Sequence, residues 1–412
     1  MGPRKTTIGL FVCIFCCAVL ALASLAHAQN IRAEDFFNSQ IVTRGSEYAS
    51  TVRTLYILGI LSNVIVLLLL LWSRSGIQFR LWTAINADGN PIVMTALMAL
   101  GTFILLKLVR LPLRFYRSHL IQHRYGLSTQ SQIDWFKDWL LGLSLDGVFF
   151  IVAVLVVYRL ILWTNKWWWL PASMCLGAYV VAHMWLAPIY LSPLFNSFHK
   201  LENKDLAQQI RTLAKSVNAP VEEVLVMDAS RRTKRANAYY TGLWSTKRVV
   251  LYDNLVKKFT EKEILSIVGH ELGHWKHKHI VNGVGIGIGG IFLALLVSSL
   301  MLSYSCKVGY FGLKDPADPA NLPLLLLIFM FIMLIAQPIG MAISRHMERQ
   351  ADQTALELTK DAESFIEVER KLVRMNVIDL KPPRWAVLLL YTHPPVMERI
   401  GAAKAYLRKD NT

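Results

Sequence analysis

Seven apolar runs divide this chain, with polar segments of unequal length between them. The first extends from Ile8 to about Leu25, behind Arg4 and Lys5 and ahead of Ala26-His27-Ala28. A basic start, an apolar core and a small-x-small end form the pattern of a secretory signal peptide. The run is also long enough for a first membrane helix, so residues 1–28 carry both readings. The other six fall at roughly 55–72, 92–112, 147–164, 168–191, 280–304 and 322–343. Each approaches the ~20 residues of helix that cross a bilayer. Lys107, Arg110 and Arg159 lie near the ends of runs, where long side chains snorkel. Trp167, Trp168 and Trp169 stand where aromatic residues anchor a helix at the interface. Gly283, Gly285, Gly287, Gly289 and Gly290 are expected to let the fifth of these spans pack closely on a neighbour.

Composition supports lipid as the solvent for these runs. Of 412 residues, 54% are hydrophobic and 17% are charged, against about 25% charged in soluble domains. The formal net charge is +16. No zinc-finger spacing or RNA-binding aromatic pattern accompanies it, so nucleic acid is not an expected partner. The bilayer is. Cys13, Cys16, Cys17, Cys175 and Cys306 show no metal-ligand spacing and no disulfide framework. They read as small buried apolar groups.

The expected organisation is residues 1–28 as signal peptide or first membrane helix, 29–191 as a membrane domain of four spans, and 192–412 as a zinc-peptidase domain that includes the spans near 280–304 and 322–343. Segments 113–146, 192–279 and 344–412 then share one membrane side. Residues 192–279 hold 15 Lys/Arg against 9 Asp/Glu. Among the shorter loops, 113–146 carries Arg114, Arg117, Arg124 and Lys137. The positive-inside rule therefore favours a cytoplasmic site. A cleaved signal peptide would instead place it outside.

Chemistry concentrates at His270-Glu271-Leu272-Gly273-His274, an H-E-x-x-H motif. On a helix, residues i and i+4 share a face, so both imidazoles can reach one ion. Thr260 and Glu263 form a capping-box pattern that starts such a helix. Glu271 can hold and deprotonate a water whose pKa zinc lowers from about 15.7 to near 7. Catalytic zinc usually takes three protein ligands and keeps one position open. Glu348 is the candidate third ligand. Asp352, one helical turn on, can accept the N–H of a ligand histidine. His277 and His279 extend the histidine cluster. A catalytic site has no vacancy for His277 in the metal shell.

These residues resemble the type I CAAX prenyl endopeptidases and, more distantly, the HtpX-type proteases. The resemblance runs in order from about residue 50 to 405. It includes Pro193-Leu194-Phe195-Asn196, Asp228-Ala229-Ser230-Arg231-Arg232-Thr233, Asn237-Ala238-Tyr239-Tyr240, Lys247 to Asp253, His270 to His279, Ser344 to Asp352, and His393-Pro394 with Arg399. It implies a mainly α fold: polytopic membrane helices enclosing a chamber, with a gluzincin-like zinc-protease domain containing a small β-sheet. It implies one Zn2+ per chain on His270, His274 and Glu348. It places Asn237, Ala238 and Tyr239 along the polypeptide substrate, His393 at the oxyanion, and Arg399 nearby.

The reading adopted is a multi-pass metalloendopeptidase of a bacterial inner membrane or ER-type membrane. Its expected substrates are membrane-associated or lipid-modified, CAAX-type polypeptides, or clients of protein quality control. A zinc carrier using His270 to His279, and an inactive scaffold, are the rivals. A carrier needs no general base, and a scaffold needs no zinc.

Overall fold

The computed structural model describes residues 32–242 and 247–410. Residues 1–28, read as signal or first span, lie outside the described residues. In chain order the elements are α1 (Ser39–Trp72), α2 (Arg74–Asn86), α3 (Pro91–Arg124), α4 (Gln132–Trp167), α5 (Trp169–Phe195), β1 (Phe198–Lys200), α6 (Lys204–Ser216), β2 (Glu223–Met227), β3 (Ala238–Thr241) and β4 (Arg248–Tyr252). There follow α7 (Asp253–Lys258), α8 (Glu261–Lys276), α9 (His279–Val308), α10 (Pro319–Thr359), α11 (Ala362–Asn376), α12 (Arg384–Leu390) and α13 (Val396–Asp410).

Among the described residues, six helices are long and apolar enough to cross a membrane: α1, α3, α4, α5, α9 and α10. They match the six apolar runs and overrun them. A helix rises about 1.5 Å per residue, so the 41 residues of α10 carry its end beyond the apolar run at 322–343. That extension holds Glu348 and Asp352.

The chain forms two compact units. One joins the described residues of Met1–Ser50 with Asn196–Ile280 and Leu334–Thr412. The other joins Thr51–Phe195 with Val281–Met333. The second is all helix. Its core gathers Leu67, Ala99, Tyr158, Trp168, Leu302 and Leu322. The glycine stretch of α9 corrects the expectation drawn from it. A Cβ added at Gly283, Gly285, Gly287, Gly289 or Gly290 would meet none of the described residues within 4 Å. Among the described residues these glycines create no close helix contact.

The first unit contains a four-stranded sheet of order β1-β2-β4-β3. β2 and β4 pair in parallel in the centre, and β1 and β3 are antiparallel edges. Ile264, Val268 and Leu272 recur every fourth residue on α8 and enter a core with Ile210, Val249 and Leu251. The Thr260–Glu263 capping box forms and begins α8.

The opposite side of α8 is made of small residues. Gly269 faces Ala355 of α10, and Gly273 faces Ala351, whose Cα would lie 2.8 Å from an added Cβ. Only glycine permits that backbone approach. It brings Glu348 and Asp352, one turn or less from Ala351 on α10, against the two motif histidines.

Candidate active site

His270 Nε2 and His274 Nε2 stand 3.2 Å apart. Glu348 Oε2 is 3.2 Å from the first, and Glu348 Oε1 is 3.6 Å from the second. Among the described residues these three form a group able to hold a metal ion. Ligand atoms about 2.0–2.1 Å from a tetrahedral ion stand about 3.3 Å from one another, so the spacing suits zinc. Glu348 Oε2 is buried and makes no well-formed hydrogen bond, although two imidazole nitrogens approach it within 3.2 Å. An ion would satisfy that oxygen and the converging nitrogen lone pairs together.

Asp352 Oδ1 lies 2.8 Å from His270 Nδ1. With the Nδ1 proton given to the carboxylate, Nε2 presents its lone pair inward. Burial alone would lower the His270 pKa. The carboxylates of Asp352 and Glu348 beside it outweigh burial and raise it. The pocket is thus electrostatically built to hold positive charge at these nitrogens.

Glu271 points to the other side. Its Oε2 accepts a long hydrogen bond, 3.4 Å, from the Tyr240 backbone N–H. Burial raises the carboxyl above its ordinary value against the pull of His270 and His274, a shift that suits a base working near neutral pH. Tyr240 sits on edge strand β3. Tyr252 N–H donates to the Asn237 carbonyl at 3.0 Å, which fixes the register against β4. By strand alternation the backbone groups of Ala238 and Tyr240 turn outward. The outer edge of β3 therefore runs beside Glu271.

His393 follows α12. Its Nε2 is 3.1 Å from Glu348 Oε2. The segment is held from α10: Arg345 Nη1 donates to the carbonyls of Val387 (2.7 Å) and Tyr391 (2.9 Å), and Gln337 Nε2 donates to that of Leu389 (2.5 Å). These are carbonyls a helix end leaves without partners. One helix thus carries Glu348 and anchors His393.

Arg399, which the resemblance places near His393 and the substrate, turns its guanidinium to Asp352, with Nε to Oδ2 at 2.8 Å and Nη2 to Oδ1 at 2.5 Å. Its Nη1 reaches Glu369 Oε1 at 2.7 Å. Burial would lower the Arg399 pKa, but the two carboxylates raise it, so the cation persists inside. His277 Nε2 bonds Thr354 Oγ1 at 3.0 Å, away from the ligand group.

Sequence reasoning passed over Arg345 and Glu369. Arg345 stands in the quoted Ser344–Asp352 segment, but its partners are carbonyls more than forty residues on. Glu369 lies among the charges of α11 and is only 2% exposed. Nothing local distinguishes it from Glu363 or Glu367.

Comparison with known proteins gives the family and the fold. The model of peptidase family M48 matches residues 200–407. A model described as CAAX prenyl protease N-terminal, five membrane helices, matches residues 23–197. The uncharacterized metalloprotease YhfN of Bacillus subtilis is 31% identical over 364 residues, covering 87% of this chain and 84% of that one. CAAX prenyl protease 1 of Saccharomyces cerevisiae is 30% identical over 320 residues, covering 72% of this chain and 68% of that one. The crystal structure of S. mikatae Ste24p superposes with a TM-score of 0.80 at 22% identity, over 98% of this chain and 99% of that chain, and shows the shared fold.

Membrane-length helices, a small mixed sheet and a His/His/Glu cluster define a multi-pass membrane metalloprotease. The chain belongs to peptidase family M48.

Proposed function

We propose that this chain is a zinc-dependent endopeptidase of membrane-associated or lipid-modified polypeptides, with CAAX-type substrates first and quality-control clients second. The observation that carries the reading is the three-atom ligand cluster with Glu271 between it and an outward-facing strand edge. The name of the Saccharomyces cerevisiae relative, CAAX prenyl protease 1, supports the substrate class.

His270, His274 and Glu348 hold one Zn2+, and Asp352 orients His270. When bound, the ion supplies Lewis-acid polarisation of water and of the scissile carbonyl. Ala238 and Tyr240 offer backbone groups to an extended peptide as an added strand, with Asn237 and Tyr239 flanking them. Glu271 takes the proton of the attacking water and returns it to the leaving amine. His393 Nε2 donates to the developing oxyanion. Arg399 acts through Asp352. The site faces the cytoplasm, as the loop charges favour. Residues 192–412 form the peptidase domain.

The test pairs zinc content with cleavage for the detergent-purified wild type and Glu271→Gln. A farnesylated peptide and an unfolded membrane protein serve as substrates. We expect about one zinc in each protein and a loss of cleavage of about 10²–10⁴-fold in the variant. Undiminished cleavage by Glu271→Gln would remove the mechanism.

A further inference from the structure

The histidine cluster contains a residue with no place in the mechanism above. His279 is five residues after His274. On an unbroken helix it would point about 140° away. The helix is broken: α8 ends at Lys276, Lys278 adopts a left-handed backbone with φ 56°, and α9 begins at His279. A lysine in that region is uncommon and marks a conformation held by its surroundings. The break turns His279 back. Its Nδ1 comes to 3.0 Å from His274 Nδ1, and the rings meet edge to face at 5.1 Å. Its Nε2 is 3.0 Å from Gln350 Oε1. The His277 ring stacks on its far side at 5.4 Å. His279 is 6% exposed.

The proton positions follow one from another. This step rests on the reading of His274 as a metal ligand through Nε2. That nitrogen then carries a lone pair, so the imidazole proton sits on Nδ1 and is donated. The atom facing it, His279 Nδ1, must accept. A neutral imidazole that accepts at Nδ1 carries its proton at Nε2. The Gln350 side-chain carbonyl receives that proton.

We infer that His279, held by Gln350, is a positioning residue that fixes the tautomer and ring orientation of His274, as Asp352 does for His270. The two ligand histidines are therefore oriented by different chemistries. One has a carboxylate backed by Arg399. The other has a neutral imidazole backed by an amide. Gln350 and Asp352 are two residues apart on α10, so a single helix serves both arms.

The readout is the zinc affinity of the full chain in detergent, by competition with a chromophoric chelator. His279→Phe keeps the ring and removes the acceptor. We expect zinc to bind about 10–100-fold more weakly. His279→Asn places a carbonyl oxygen where Nδ1 stood and should recover most of that loss. Gln350→Leu, which leaves His279 in place, should weaken zinc about threefold to tenfold; it carries the test on its own if His279→Phe does not fold. Wild-type affinity in His279→Phe or in Gln350→Leu overturns the inference. Equal losses in the Phe and Asn variants also overturn it, since they would report ring packing alone. His274→Ala separates the underlying reading: wild-type zinc affinity there removes His274 as a ligand, whatever His279 does.

Discussion

In the unit that carries the histidines, Ile210, Val249 and Leu272 are fully buried, whereas in the all-helical unit Ile65, Leu293 and Leu300 are 56%, 60% and 63% exposed. The residue types are alike and their placement is opposite. Water drives apolar side chains inward in the first unit. Lipid removes that drive in the second, where helices associate through packing and occasional polar contacts. Charge is also distributed differently. The helical unit pairs Lys107 with Asp146 and Arg80 with Asp318, all partly exposed. The sheet-containing unit buries Asp352, Arg399 and Glu369 together beside the ligands. Desolvated charge is costly unless paired, and here it is concentrated where a cation must be held.

The comparison is most exposed at Arg399. Arg399→Met strands two buried carboxylates, and breaking such a pair costs about 3–5 kcal/mol. A large drop in the thermal midpoint with weakened zinc binding is expected; an unchanged midpoint would mean the network is better solvated than its burial indicates. Next come matched truncations. Leu272→Ala empties a core position and should cost about 2–5 kcal/mol. Leu293→Ala, on an exposed helix face, should stay within about 0.5 kcal/mol. Similar losses from the two in denaturant titrations would break the distinction between the units.

A glycine pair sharpens the same contrast. Gly273→Ala drives a Cβ into Ala351 and should cost about 1–3 kcal/mol while loosening zinc. Gly287→Ala meets none of the described residues and should leave the midpoint unchanged or slightly raised. A gain in stability, not a loss, is expected at Lys278. Lys278→Gly relieves the left-handed backbone and should stabilise by up to about 1 kcal/mol, with zinc affinity kept. A loss of affinity would show that the lysine side chain, not the backbone turn, places His279.

Much of the fold was legible because it rests on local pattern. The six apolar runs became six membrane-length helices, and Thr260 with Glu263 capped α8. The glycine stretch of α9 misled, because small residues permit a close contact and do not create one. The surroundings of the site were legible only in part. Asp352 stood one turn from Glu348, a spacing the chain displays. Glu369 and Arg345 act on partners 30 or more residues distant.

The sequence by itself determined where α8 begins, which stretches of chain are apolar, and that two histidines and a glutamate share one helical turn. These depend on the 3.6-residue period and on side chains within a turn of each other. The tertiary structure alone decided that Gly269 and Gly273 lay α8 against Ala351 and Ala355. It alone decided that Arg399 turns to Asp352 and Glu369, and that a left-handed Lys278 swings His279 onto His274. Each of those depends on which backbone another element brings within a few ångströms, a quantity no local window of sequence contains.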